Sequence, residues 1–278
     1  MEFNKSNCFN NDNKNQPKQK LIHYAGKIGE FDYDPNIWEI EDNHLVFKNK
    51  EVNSLPKNLE LPEGCIDISY MFEECTNLTD ISPLENWDIS NVENMEEMFS
   101  ECTNLTDIYA LYNWDTSNVR RMSAMFGGCE NLTDISILKN WNITNVKCTG
   151  EMFQCCTNLT DISPLKYWNI SNVECLGGMF GGCENLTDIS PLKYWNTSNV
   201  NIMMDMFADC KNLTDITPLK NWNTSNVTNM EYMFENCVNL VDLTPLENWD
   251  TSNVTNMSGM FEGCENLIDK TQLLKFSK

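Results

Sequence analysis

The chain has 278 residues, with 41 acidic and 19 basic side chains and a net charge of −22 at neutral pH. Such a balance argues against nucleic acid, whose phosphates need Lys and Arg to neutralise them, and against anionic lipid surfaces. No run of 18 apolar residues occurs, so neither a spanning helix nor membrane insertion is expected.

In chain order, residues 1–20 (MEFNKSNCFNNDNKNQPKQK) are polar and lack the apolar stretch of a secretory signal. Cys8 does not follow an apolar run, so it does not read as a lipid-attachment cysteine. A disordered tail is expected there, and the missing leader leans towards an intracellular home. Residues 21–66 read as an N-terminal cap. Within them IWEIEDNHLVF (37–47) supplies strand-like residues, and 55–68 approximates half a repeat.

Residues 67–267 are a repeat. Met-Phe recurs at Met71, Met98, Met125, Met152, Met179, Met206, Met233 and Met260, always 27 residues apart. Four residues after each Met stands a cysteine, from Cys75 to Cys264, and three later a leucine, from Leu78 to Leu267. Tryptophan keeps the same spacing from Trp87 to Trp249, as do the Asn-Val pairs from Asn91 to Val254. The consensus is MFxxCxNLTDISPLxxW(N/D)xSNVxxMxx. A fixed period of 20–30 with short strands implies a solenoid. Between Met98 and Ser123 the apolar spacing is neither 2 nor 3.6 throughout, which excludes one long strand or helix. Leu105-x-x-Ile108 and Val119-x-x-Met122 suit short strands, and 122–129 reads as one or two helical turns. The expected fold is an α/β solenoid, leucine-rich-repeat-like, of about eight coils. One coil cannot bury its apolar face alone, so both ends need covering. At 268–278 the pattern decays into a basic tail whose Leu273, Leu274 and Phe276 are expected to cover the last coil.

The motif MFxxCxNL…SNVxxM resembles the BspA-like leucine-rich repeats of Mycoplasma- and Listeria-type surface proteins. The resemblance spans residue 66 to about 267, with Trp where that family more often has Phe. It implies a leucine-rich-repeat solenoid, a binding or adhesion role towards a host or cell-surface protein, and often a cell-surface location. It carries no catalytic residues.

Several columns invite chemistry. Zinc sites use clustered cysteine and histidine spacings, so cysteines 27 apart read as buried core thiols. Cys148 and Cys175 are different. They share a repeat position that is Asn94, Arg121, Asn229 and Asn256 elsewhere, and Ile202 continues it. If exposed, they form an apolar stripe flanked by Arg120 and Arg121, the candidate binding residues; local repacking is the alternative. The Asp column from Asp80 to Asp269 suggests backbone capping rather than calcium, because no calcium-loop motif is present. Lys139, Lys166, Lys193 and Lys220 form a second column that would partly offset it. The Asn91, Asn118 and Asn145 column reads as local turn chemistry. Sequons at Asn77, Asn104, Asn131 and Asn158 are by-products of the repeat letters. His23 and His44 precede the repeats, so no base for nucleophilic catalysis is expected inside them. No enzyme, metal or cofactor is expected. The leading reading is a protein-binding solenoid, and the alternative is a structural protein that self-associates or coats a surface.

Overall fold

The structure is a computed structural model describing residues 34–41, 44–268 and 270–276. The expected tail at 1–20, the first part of the expected cap at 21–33, His23, and Asp269 lie outside the described residues.

The repeat winds into a solenoid of 27-residue coils. Adjacent coils pair in parallel through Asn94, Arg121, Cys148, Cys175, Ile202, Asn229 and Asn256, one residue per coil. Both sequence-expected strand positions carry such pairing, since Asp107 also bridges Asp134. The ladder consists of single bridges rather than long strands, because the chain turns after two or three residues at each corner.

The helical turn sits elsewhere than expected. Residues 122–129 form stacked turns, with Ala124 and Gly128 in the left-handed region. Every second N–H there points to the next coil: Ala124 N to Gly150 O (2.8 Å), Phe126 N to Met152 O (3.0 Å) and Gly128 N to Gln154 O (2.7 Å). A helix keeps those donors for its own carbonyls, so inter-coil pairing has displaced it. The helical turns are 3₁₀, from Ser82–Asn86 through Ser163–Tyr167 and Ser190–Tyr194 to Thr244–Leu246. Proline at the first or second position pre-sets φ in these four. The preceding Asp receives the turn's first N–H, as in Ser82 N to Asp80 Oδ1 at 2.9 Å and Ser163 N to Asp161 Oδ1 at 2.8 Å. The Asp column therefore caps backbone amides, and its charges stand in solvent.

The core is a set of ladders. Phe72, Phe99, Phe126, Phe153, Phe180, Phe207 and Phe234 are fully buried and stack ring on ring, with centroids 5.5–6.0 Å apart. Each repeat tryptophan from Trp87 to Trp249 donates its indole N–H to the preceding coil, as Trp168 does to Leu138 O at 2.8 Å. That carbonyl also accepts the Trp141 backbone N–H at 3.1 Å, so the indole adds a second, inter-coil bond that a phenylalanine could not make, which gives a physical role to the Trp-for-Phe difference. Asparagines of the Asn91 column reach the neighbouring coil rather than local backbone: Asn118 Nδ2 donates to Ser90 O and Asn145 Nδ2 to Ser117 O, both at 2.7 Å. Local capping falls instead to the residue three earlier, as in Ser117 N to Asp115 Oδ1.

At the start, β1 (Trp38–Glu41) and β2 (His44–Phe47) form an antiparallel hairpin. Phe47 N donates to Met71 O at 2.7 Å, and Trp38 packs against Phe72 and Trp87. At the far end, the 3₁₀ turn Lys270–Phe276 sets Phe276 edge-on to Phe261. Lys275 Nζ donates to Leu246 O, Glu247 O and Trp249 O, which satisfies carbonyls of the last coil.

Candidate functional site

The repeated cysteines are packing groups. From Cys102 to Cys264 each repeated thiol donates to a phenylalanine carbonyl of the preceding coil, as Cys102 Sγ does to Phe72 O and Cys156 Sγ to Phe126 O, both 3.2 Å. Burial pushes the thiol pKa values well above the ordinary value at Cys102, Cys129, Cys156, Cys210 and Cys237. Thiolate chemistry is suppressed there. No group of three or more His, Cys, Asp or Glu placed to hold a metal ion occurs among the described residues.

One contact was not legible in the sequence. His44, on the hairpin, brings Nδ1 within 2.9 Å of Ser69 Oγ, and that hydroxyl also bonds Asp67 Oδ1. The expectation that no base reaches the repeats missed this fold-borne contact. The order, however, is His–Ser–Asp. A hydroxyl has one proton, and when it is given to Asp67 the imidazole must donate rather than accept. A Ser–His–Asp triad needs the carboxylate on the far side of the imidazole. The cluster ties the hairpin to the first coil, and Tyr70 stacks edge-on against His44 at 4.7 Å.

The five sequence-predicted binding residues lie on or beside the parallel ladder. Arg121, Cys148, Cys175 and Ile202 pair in consecutive coils, with Arg120 one residue before Arg121. Cys148, Cys175 and Ile202 are half-buried, while Arg120 and Arg121 are exposed. Both arginines are already engaged, Arg120 with Glu93 at 3.3 Å and Arg121 with Glu96 at 3.2 Å. The Arg120–Glu93 pair is exposed on both sides and of a kind worth about 0–1 kcal/mol, so a partner's carboxylate can displace it at low cost; the glutamate of the second pair is more covered. Glu96 is held above the usual carboxylate range by burial, which Arg121 opposes.

A second surface went unnoticed in the sequence. Tyr109, Tyr112, Tyr167 and Tyr194 are the exposed aromatics among the described residues, at 65%, 47%, 74% and 69%. Tyr109 and Tyr112 flank the 3₁₀ turn Tyr109–Leu111, and Tyr167 and Tyr194 end the turns of two neighbouring coils further on, beyond the tyrosine-free turn Ser136–Asn140. Lys166 Nζ lies 5.4 Å from the Tyr167 ring centroid and Lys193 Nζ 5.6 Å from that of Tyr194. These two lysines rest on tyrosine rings instead of pairing with the Asp column. With Lys139 and Lys220 they make a basic, aromatic strip whose own 3₁₀ turns carry no acid. The signal was present: Tyr replaces Asn at one repeat position in two consecutive units, each time beside a lysine. The sequons offer little for modification, since Asn104 and Asn131 spend Nδ2 on Thr76 O and Thr103 O.

Among the described residues, no helix is long and apolar enough to cross a membrane. A family model described as a Mycoplasma protein of unknown function, DUF285, matches residues 66–190 and 156–276. No curated protein sequence matches the chain. Three solved structures are similar at low identity. A leucine-rich repeat protein from Eubacterium ventriosum is 17% identical over 84% of this chain and 51% of its own, with a TM-score of 0.32. A leucine rich cell surface protein from Faecalibacterium prausnitzii is 16% identical over 87% of this chain and 88% of its own, at 0.35. A leucine-rich repeat protein from Bacteroides ovatus is 18% identical over 88% of this chain and 70% of its own, also at 0.35. The chain thus spans about half the length of the first of these.

Proposed function

We propose that this chain, which belongs to the DUF285 family of Mycoplasma-type proteins, is a non-enzymatic protein-binding solenoid, adhesin-like in the manner of the BspA-like repeats its motif resembles. The observation that carries the reading is the tyrosine–lysine strip on an otherwise acidic molecule. Tyrosine is enriched at binding hot spots because it offers a large apolar face and a polar tip at low entropy cost. A repeat protein has no need to expose it, since asparagine fills the same position in the other coils. The four lysines select for acidic groups on the partner. The ladder stripe of Arg120, Arg121, Cys148, Cys175 and Ile202 is a second proposed contact area, with its half-buried apolar residues beside the displaceable Arg120–Glu93 pair. We further propose residues 21–66 and 268–278 as end caps, and a host or cell-surface protein as partner, with the chain displayed on the cell or particle surface.

The test has two parts. Protease shaving of intact producing cells, read with an antibody to residues 268–278, should digest the chain; full protection until lysis would remove the surface reading. Adhesion to immobilised host-surface proteins should then fall at least tenfold in Tyr167→Ser/Tyr194→Ser and in Lys166→Glu/Lys193→Glu. Unchanged adhesion in both would refute the strip.

Charge complementarity between this strip and the acidic remainder of a second copy favours the alternative, self-association. Concentration-dependent sedimentation that is abolished by the lysine reversals would make assembly the better reading.

A further inference from the structure

Cys148 and Cys175 stand apart from the other cysteines. They face one another across a parallel bridge in adjacent coils, and both are free and half-buried. Paired strands lie about 4.7–4.9 Å apart, inside the roughly 4.4–6.8 Å Cα separation that a disulfide spans. Nothing stands between the sulfurs. A Cβ on Gly150 would meet Cys175 Sγ at 3.3 Å and Cys148 Sγ at 3.5 Å, so both sulfurs converge over one bare glycine.

Their surroundings are unequal. The Cys175 thiol favours the charged form of Cys148 most, against burial, and the Ser123 hydroxyl and Gly150 backbone N–H add to it while the Glu96 carboxylate opposes it; Cys175 has the matching backbone N–H of Gly177 but no counterpart to Ser123. Arg121, paired with Glu96, neighbours Cys148 on the other side of the ladder. These donors lower the Cys148 pKa, and the bond to Cys148, followed by burial, raises that of Cys175. The bond between the two thiols lets one sulfur ionise while the other keeps its proton within reach, and Ser123 beside Cys148 favours the thiolate there. The repeated core cysteines from Cys102 to Cys237 share the one-coil spacing, but they are fully buried and hold their protons on phenylalanine carbonyls.

We propose that Cys148 and Cys175 form a redox-active dithiol, oxidised by low-molecular-weight disulfides to a bond that joins the two coils. In the first step the Cys148 thiolate attacks one sulfur of the small disulfide RSSR. A protein mixed disulfide forms and one RS⁻ leaves. In the second step Cys175 gives its proton to solvent, and its thiolate attacks Cys148 Sγ and expels the second RS⁻. In sum, two protein thiols are oxidised to one disulfide and RSSR is reduced to two RSH. The bond would lock the ladder between Arg121 and Ile202, the middle of the proposed stripe.

The experiment treats the reduced full chain with oxidised glutathione, blocks remaining thiols, and maps peptides after cleavage at Lys and Glu. The expected product joins peptide 148–151 to peptide 175–184 through Cys148 and Cys175. Cys175→Ser should stall as a glutathione adduct on Cys148. Cys148→Ser should slow modification of Cys175 on the order of tenfold relative to that of Cys148 in Cys175→Ser. Gly150→Ala, which crowds both sulfurs, should slow closure while the core thiols stay protected. Circular dichroism confirms that each variant is folded. If both thiols remain fully alkylatable in the treated wild-type chain, or if Cys175→Ser carries no adduct on Cys148, the proposal is overturned.

Discussion

Asp205 is the most informative single site for stability. It lies in the left-handed region (φ 55) of the stacked turns and is half-buried. Burial first, and then the carboxylates of Glu235, Glu231, Glu151 and Asp209, push its pKa from 3.8 to about 7. An acid whose folded pKa lies above its unfolded value binds more protons when folded. Its contribution is therefore most favourable below about pH 4 and is lost as pH rises towards 7. At about 1.4 kcal/mol per pH unit, the roughly three units between 3.8 and about 7 would cost about 4 kcal/mol. Solvent contact reduces this to about 1–2 kcal/mol. Asp205→Asn removes the charge and keeps a residue type that tolerates left-handed backbone. Urea unfolding from pH 4 to 8 should show the two proteins equally stable at pH 4, and the variant more stable by about 1–2 kcal/mol at pH 7.5. Parallel curves for variant and wild type would refute both the burial and the repulsion argument.

The interior ladders make simpler predictions. Trp168→Phe keeps the ring but removes the indole donor at 2.8 Å from Leu138 O, which retains the Trp141 backbone N–H; a loss of about 0.5–1.5 kcal/mol is expected in urea unfolding, and no loss would mean that the inter-coil bond adds nothing to the one the carbonyl keeps. Phe153→Ala opens a cavity between Phe126 and Phe180, which lie 6.0 and 5.9 Å away; about 3–5 kcal/mol is expected, measured the same way.

Period, coil number and core membership were legible because each coil repeats the same burial problem. Met98, Phe99, Cys102, Leu105 and Ile108 were read as interior from spacing alone, and all five are fully buried. Whatever depends on a neighbouring coil was less legible. The 122–129 segment has helical composition, yet half its donors go to residues 26 positions away, and no local pattern encodes that choice. The Asn118 and Asn145 side chains read as local turn formers because asparagine usually is one; here they bind the preceding coil. The contact of His44 with Ser69 spans 25 residues and exists only because the hairpin folds over the first coil. The tyrosine strip failed to register for a different reason. Cys148, Cys175 and Ile202 mark themselves as polar positions turned apolar, whereas Tyr167 and Tyr194 replace one polar group with a larger one, and only exposure distinguishes them from core aromatics.

The hairpin supports a last prediction about how stability is distributed. In a solenoid each coil contacts only its neighbours, so unfolding can start at an end and travel inward. Trp38 is buried against Phe47, Phe72 and Trp87, with ring centroids 5.8, 6.0 and 6.3 Å away. It therefore joins the hairpin to the Phe and Trp ladders at their first members. Trp38→Ala removes a side chain whose loss typically costs about 3–5 kcal/mol, but the loss is local. Hydrogen exchange should rise first at the N–H groups of Phe47, Ile68 and Tyr70, while Phe153 and Phe180 stay protected. If exchange instead rose equally in all coils, the solenoid would be unfolding as one unit, and the nearest-neighbour account of its ends would fail. An end-confined response makes the hairpin a true cap, because the coils beyond it would hold their structure through stacking that Trp38 never touches.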